Sequence, residues 1–115
     1  MDSYLGKEPF IGVHFLSESE YISCRKEYTR TLLEWRDFNE HSILKSLELD
    51  ICEPTMMYID EGIYIGDDGG LLWLVNENGL TVSKVRVFDN SIEGMEKIEE
   101  GRAAVYGHGV GIVEL

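Results

Sequence analysis

The sequence predicts an α+β fold, in which a helical layer packs on a twisted, mostly antiparallel sheet. Three observations lead there. Hydrophobic residues make up 43% of the chain, enough to build a core. Between Ser17 and Leu49 the apolar residues recur at a roughly helical spacing. Beyond Pro54, short apolar runs alternate with glycine-rich turn chemistry. A chain of 115 residues suits one domain. We expect that domain to span 1–115, with a helical zone at about 17–49 and a strand-rich zone at about 55–115.

Glu8 to Leu16, with Phe10, Ile11, Val13, Phe15 and Leu16, predicts a first strand. Ser17 with Glu20 three residues later fits a helix capping box. Tyr21, Ile22, Tyr28, Leu32, Leu33 and Trp35 then predict a helix. Asn39 is a break, after which Asn39 or Ser42 caps a second helical stretch carrying Ile43, Leu44, Leu47 and Leu49. Apolar runs at 56–59, 63–65, 71–75 and 80–88 predict antiparallel strands, joined by turns at 60–62, 66–70 and 76–79. Asn78-Gly79 is a strong hairpin signal because both residues tolerate positive φ. Val85 and Val87 alternating with Lys84 and Arg86 predict one buried and one wet face. Ile92, Met95 and Ile98 predict a short amphipathic helix ended by Gly101, followed by two short strands at 103–106 and 110–113. No internal repeat is visible.

Charge is the strongest functional signal. Asp and Glu number 22 against 10 Lys and Arg, a formal net of −12. Like charges repel in a compact state, so this excess points to a basic partner. The acidic residues form two groups along the chain: Asp60, Glu61, Asp67 and Asp68 in consecutive turns, and Glu93, Glu96, Glu99 and Glu100 on the short helix. A strand at 63–65 puts the two halves of the first group about 10 Å apart. On a helix, Glu93, Glu96 and Glu100 share one face. These eight residues are the expected partner-binding surface. Arg25, Lys26, Arg30 and Arg36 are balanced by Glu27, Glu34 and Asp37 as local ion pairs on the first helix.

Other chemistries find little support. The 60–70 segment lacks the ligand pattern of an EF-hand, so no metal site is expected. Gly66 to Gly70 lacks the lysine of a phosphate-binding loop, and its aspartates repel phosphate. Scarce cations disfavour nucleic-acid binding. Cys24 and Cys52 match no zinc spacing and are expected to be free, mostly buried thiols. His14 is expected to be structural, His41 lies near a helix start, and His108 sits in a glycine-flanked turn. The first ten residues carry Asp2, Lys7 and Glu8 and no long apolar stretch, and no run is long enough to span a bilayer. A cytoplasmic protein without cofactor, enzymatic activity or membrane partner is expected.

In size and charge the chain resembles small acidic inhibitors: immunity proteins that neutralise bacterial toxins, and phage anti-defence proteins. The resemblance implies a protein that binds and neutralises a basic toxin domain, foremost a nuclease of a contact-dependent or secreted toxin system. The alternatives are a nucleic-acid mimic directed at a defence enzyme, and a small enzyme or ligand-binding domain built around His108.

Overall fold

A computed structural model describes residues 10–76 and 82–115. It is all-β: eleven antiparallel strands in three sheets, with no helix among the described residues. The helical layer expected at 17–49 does not exist, nor does the short helix at 92–100. The chain divides into two compact units, residues 1–53 and 54–115. The Asn78-Gly79 turn lies outside the described residues.

In the first unit, β1 (Phe10–Phe15), β2 (Glu20–Glu27), β3 (Arg30–Asp37) and β4 (Ile43–Leu49) form an up-and-down meander in the order β1-β2-β3-β4. The capping signal at Ser17 was real but local. Its Oγ accepts the backbone N–H groups of Ser19 and Glu20, both at 3.2 Å, and this caps a tight hairpin turn instead of a helix. The helical spacing of 21–35 is a by-product of burial on both faces. Tyr21, Ile22, Ser23 and Cys24 are consecutive and all buried, as are Leu33 and Glu34. A strand covered on both sides shows no period-two alternation, and its apolar residues then imitate a helical stripe. Register puts Ile22, Cys24, Leu33 and Leu47 on one face, and Tyr21, Ser23, Arg25, Glu34 and Arg36 on the other. The buried Thr31 hydroxyl donates to the Ile51 carbonyl at 2.7 Å.

The second unit holds two sheets. The order β5-β6-β7-β8 joins Pro54–Ile59, Ile63–Asp67, Leu71–Val75 and Val82–Arg86. The order β11-β10-β9 joins Val110–Glu114, Arg102–Tyr106 and Gly94–Glu99. Every strand expected beyond Pro54 is present. Met56, Tyr64 and Leu72 of one sheet pack with Met95, Ala103 and Val105 of the other, and Ile92 lies between. Thr55 adds a bond from its hydroxyl to the Ile92 carbonyl. The opposite face of β6, with Ile63 and Ile65, is buried as well. On the edge strand β8, Lys84, Val85 and Arg86 are all exposed, so the expected wet and dry faces do not separate there.

Gly70 explains how the two sheets are joined. It sits at φ +90, and a Cβ there would lie 2.0 Å from the Phe88 carbonyl oxygen. Only glycine lets the chain cross so closely, and the Gly70 carbonyl accepts the N–H of Val87 at 2.8 Å. Gly101, at φ +80, is left-handed as a helix-ending glycine would be, but it turns β9 into β10.

Both cysteines are free, yet only Cys24 is buried. Burial pushes its thiol up to about 12, whereas Cys52 is exposed. We therefore expect a thiol reagent at mildly alkaline pH to label one cysteine quickly, with Cys24 reacting only after unfolding. Mass mapping of the labelled protein checks this; equal labelling of both thiols in the folded state contradicts it. The folded thiol is harder to ionise than the unfolded one. Its contribution to stability is therefore complete below pH 9.0 and declines as pH rises toward about 12.

Candidate functional site

The second unit carries eleven carboxylates against four cations, and its turns decide where they go. The β5–β6 turn bends through Glu61 at φ 62, and the Asp60 N–H donates to the Gly62 carbonyl at 3.0 Å. Lys97 reaches this turn from β9, with its Nζ 3.4 Å from Asp60 and 2.7 Å from Glu100. The bond to Glu100 raises the Lys97 pKa and lowers that of Glu100. Asp60, Glu61, Glu99 and Glu100 thus gather at one end of the unit around a single lysine. Glu99 has only a 4.0 Å approach from Arg102, which is bonded more closely to Glu114 at 3.2 Å.

A groove of about 570 Å³ opens beside this acidic end. Asp60, Glu61, Tyr64, Leu74, Ser83 and Leu115 are among the residues that line it. A smaller hollow of about 200 Å³ shares Tyr64, Leu74 and Leu115 and extends toward Lys84 and Val113. Burial raises the pKa of the Tyr64 hydroxyl, and the charges of Asp60 and Glu61 raise it further. Tyr64 is therefore a neutral donor across the physiological range, next to carboxylates that attract positive charge.

Asp67 and Asp68 separate at the far end of β6. Asp67 is buried, and its carboxylate serves the fold. Oδ1 accepts the N–H groups of Gly69 at 2.9 Å and Leu71 at 3.0 Å, while Oδ2 accepts the Trp73 indole N–H at 2.9 Å. Asp68 is exposed. The same turn is stitched to the chain after β8, where the Ile92 N–H donates to the Asp67 carbonyl at 3.1 Å. Exposed Asp89 and Glu93 flank that stitched segment. The helical face expected for Glu93, Glu96 and Glu100 does not exist, because a strand repeats every two residues. Glu96 shares the outward face of β9 with Ile98, while Met95 and Lys97 point to the opposite face.

The four described cations of this unit are occupied. Lys97 and Arg102 hold carboxylates. Arg86 donates to the carbonyls of Gly69 at 2.6 Å and Phe88 at 3.1 Å. Lys84 lies 4.7 Å from the centroid of the Trp73 ring. Glu61, Asp68, Asp89, Glu93 and Glu96 have no cation partner among the described residues.

In the first unit, the cations expected to pair along a helix reach elsewhere: Arg25 to Glu34 at 3.2 Å and Arg30 to Glu48 at 2.6 Å between strands, and Lys26 to Glu53 at 2.6 Å beyond β4. Arg36 also holds Glu34, at 2.7 Å and out of solvent. Sequence reasoning paired these residues as local ion pairs on a helix; that Arg25 and Arg36 share Glu34, with Glu34 and Arg36 buried, is revealed only by the strand pairing. His14 is exposed and not a core residue. His41, at φ 58, lies beside Phe38. His108 is exposed, with Nδ1 3.3 Å from the Asn90 amide, and lines neither hollow. No three His, Cys, Asp or Glu side chains are placed to hold a metal among the described residues.

Fold and site together describe an all-β protein of antiparallel meanders whose second unit presents unpaired carboxylates and an acid-rimmed groove. No protein-family model matches the sequence, and a search of curated proteins finds no match.

Proposed function

We propose that this protein is a small acidic inhibitor of the immunity type, which binds a basic toxin domain and blocks its working surface. A nuclease is the favoured partner, since an enzyme that holds a polyanion needs a basic surface. The observation carrying the reading is the unpaired set Glu61, Asp68, Asp89 and Glu93 in a unit whose described cations are all engaged. Such a field speeds encounter and orients the partner, and it asks no chemistry of the inhibitor. The groove beside Asp60 and Glu61 suits an arginine or lysine side chain, whose stem lies on Leu74 while its charge meets the rim.

The test is affinity capture from the source cells at low salt, elution by a salt gradient and identification by mass spectrometry. The expected result is a basic, nuclease-like domain released only at high salt. A variant with Glu61→Gln, Asp68→Asn, Asp89→Asn and Glu93→Gln should release it earlier. The association rate of the variant at low salt should fall by roughly 10- to 100-fold. Retention of no basic protein, or an unchanged elution point for the variant, overturns the reading.

A further inference from the structure

A buried tyrosine keeps its hydroxyl uncommitted beside the acidic β5–β6 turn. Tyr64 stands on β6 and is 8% exposed, its ring held in the core with Met56 and Leu72 and 6.3 Å from the Tyr58 ring. A tyrosine buried to this degree normally satisfies its hydroxyl within the fold. That of Tyr64 makes no hydrogen bond among the described residues, yet it is not sealed from solvent as Ser23 Oγ and Arg36 Nε are. It opens into the groove of about 570 Å³, which Tyr64 lines together with Asp60, Glu61 and Gly62. Gly62 keeps the hydroxyl uncovered. A Cβ there would stand 3.7 Å from the Tyr64 hydroxyl and 3.1 Å from Leu74 Cδ1.

The groove shares Tyr64, Leu74, Ser83 and Leu115 with the hollow of about 200 Å³. The residues lining both belong to the second unit alone. Charge and shape decide what fits. Lys97 approaches Asp60 at 3.4 Å but sits closer to Glu100, at 2.7 Å. Glu61 is exposed and has no cation partner among the described residues. Three carboxylates thus share one lysine at this end, so an anion is repelled. Lys84 and Glu114, which line the hollow, are of opposite sign. Leu74 and Leu115, 38% and 39% exposed, add apolar surface. An alkyl stem that ends in several N–H donors satisfies all of these groups. Guanidinium offers five donors in a planar fork and is weakly hydrated, which suits a partly enclosed site better than a compact ammonium.

We propose that this groove is an arginine pocket, in which one guanidinium of the basic partner bonds to Glu61 and to the Tyr64 hydroxyl while its stem lies on Leu74 and Leu115. The inference rests on the reading of this protein as a binder of a basic domain, and it names the side chain that the groove grips. Tyr64 is then the residue that reads arginine, since its neutral hydroxyl accepts a donor that the carboxylate leaves over.

Nuclear magnetic resonance titration of the full chain with acetyl-arginine methylamide at low salt tests the pocket. Shifts centred on Gly62, Tyr64 and Leu74 are expected, with a dissociation constant of about 1 mM, ordinary for a single side chain. The matching lysine compound should bind at least about 5-fold more weakly. Tyr64→Phe should weaken the arginine compound about 5- to 10-fold, yet melt no earlier than wild type, because the hydroxyl holds nothing in the fold. Glu61→Gln, at an exposed position, should weaken it about 10-fold. No shifts at these residues, equal binding of lysine, or earlier melting of Tyr64→Phe overturns the proposal. Binding of free arginine without binding of the capped compound also overturns it, since the site would then read a small molecule's α-groups. Affinity capture separates this proposal from the inhibitor reading. A basic partner retained without any binding of the capped arginine overturns the pocket alone. Binding of the capped arginine with no basic partner retained supports the pocket and overturns the inhibitor reading.

Discussion

Replacing Glu34 with alanine is expected to destabilise the first unit by about 3–5 kcal/mol, the largest single effect in the molecule. Glu34 is 3% exposed and its Oε1 is shared by Arg25 Nε at 3.2 Å and Arg36 at 2.7 Å. Burial alone would raise its pKa, but the two guanidinium bonds outweigh burial and hold it below the usual carboxylate value. Arg25 shows the converse: burial opposes its charge, and its bonds to Glu34 and Glu27 leave the pKa raised. Removing Glu34 strands the buried Arg36 guanidinium, already short of a partner at Nε, and leaves Arg25 with Glu27 alone. Glu34→Gln should cost less, because an amide oxygen still accepts one bond. Replacing all three residues by apolar ones of similar volume should cost least, since no buried charge remains. Denaturant titration followed by Trp35 fluorescence reads this unit, because Trp35 lies on β3. A loss below about 1 kcal/mol for Glu34→Ala would show the cluster to be solvated, as surface pairs are.

The same carboxylate gives the pH dependence its sign. Its folded pKa is lower than its unfolded one. The stabilisation is therefore complete above pH 4.5 and is lost as pH falls through the folded value. Acid titration of the wild type should show this loss, and Glu34→Gln should flatten it.

Asp67→Ala is expected to cost about 3 kcal/mol in the second unit, while Asp68→Ala changes stability by less than about 0.5 kcal/mol. Adjacent in sequence and identical in type, the two aspartates differ in what they touch. Asp67 satisfies two turn N–H groups and the Trp73 indole; Asp68 meets solvent. The turn that Asp67 holds also carries the Gly70 crossing under Val87 and Phe88. Its loss should therefore loosen the join between the two sheets. Trp73 fluorescence should change in the folded Asp67→Ala variant and stay constant in Asp68→Ala. Partner release should respond to Asp68 in combination with its charged neighbours, with no change in melting. Equal stability of the two variants would contradict the assigned roles.

These two aspartates show how far a sequence can be read. Both were expected on the partner-binding surface, because charge and turn position are properties of the chain. Which of them folds inward depends on Trp73 and Leu71 arriving on β7, and no local pattern encodes that. The same holds for the acidic groups. Asp60 and Glu61 were grouped with their sequence neighbours Asp67 and Asp68, yet β6 sends the pairs to opposite ends, and Lys97 on β9 ties Asp60 to Glu100.

The turns at 60–62 and 66–70 were legible, because side-chain caps and left-handed glycines act within a few residues. Ser17, Asn39 and Gly101 also stand at chain reversals, but they were read as the ends of helices that do not exist. The strands beyond Pro54 other than β9 were legible for the same reason, each being a brief apolar run between such reversals. What the turns connect was not legible at 17–49 or 92–100. There the apolar residues sit on both faces of strands, and hydrogen bonds to the neighbouring strands set the backbone. A capping serine followed by a mixed apolar run has the same sequence whether the next turn is helical or extended. The state adopted depends on whether partners such as Leu33 for Cys24, and Met95 for Val105, arrive to complete a sheet. Composition determined that the chain has a core, an acidic surface and many tight reversals. Pairing between successive strands and packing of one sheet on another decided that the core is built from sheets alone and which carboxylates remain unpaired, because these contacts join residues that no short stretch of sequence brings together.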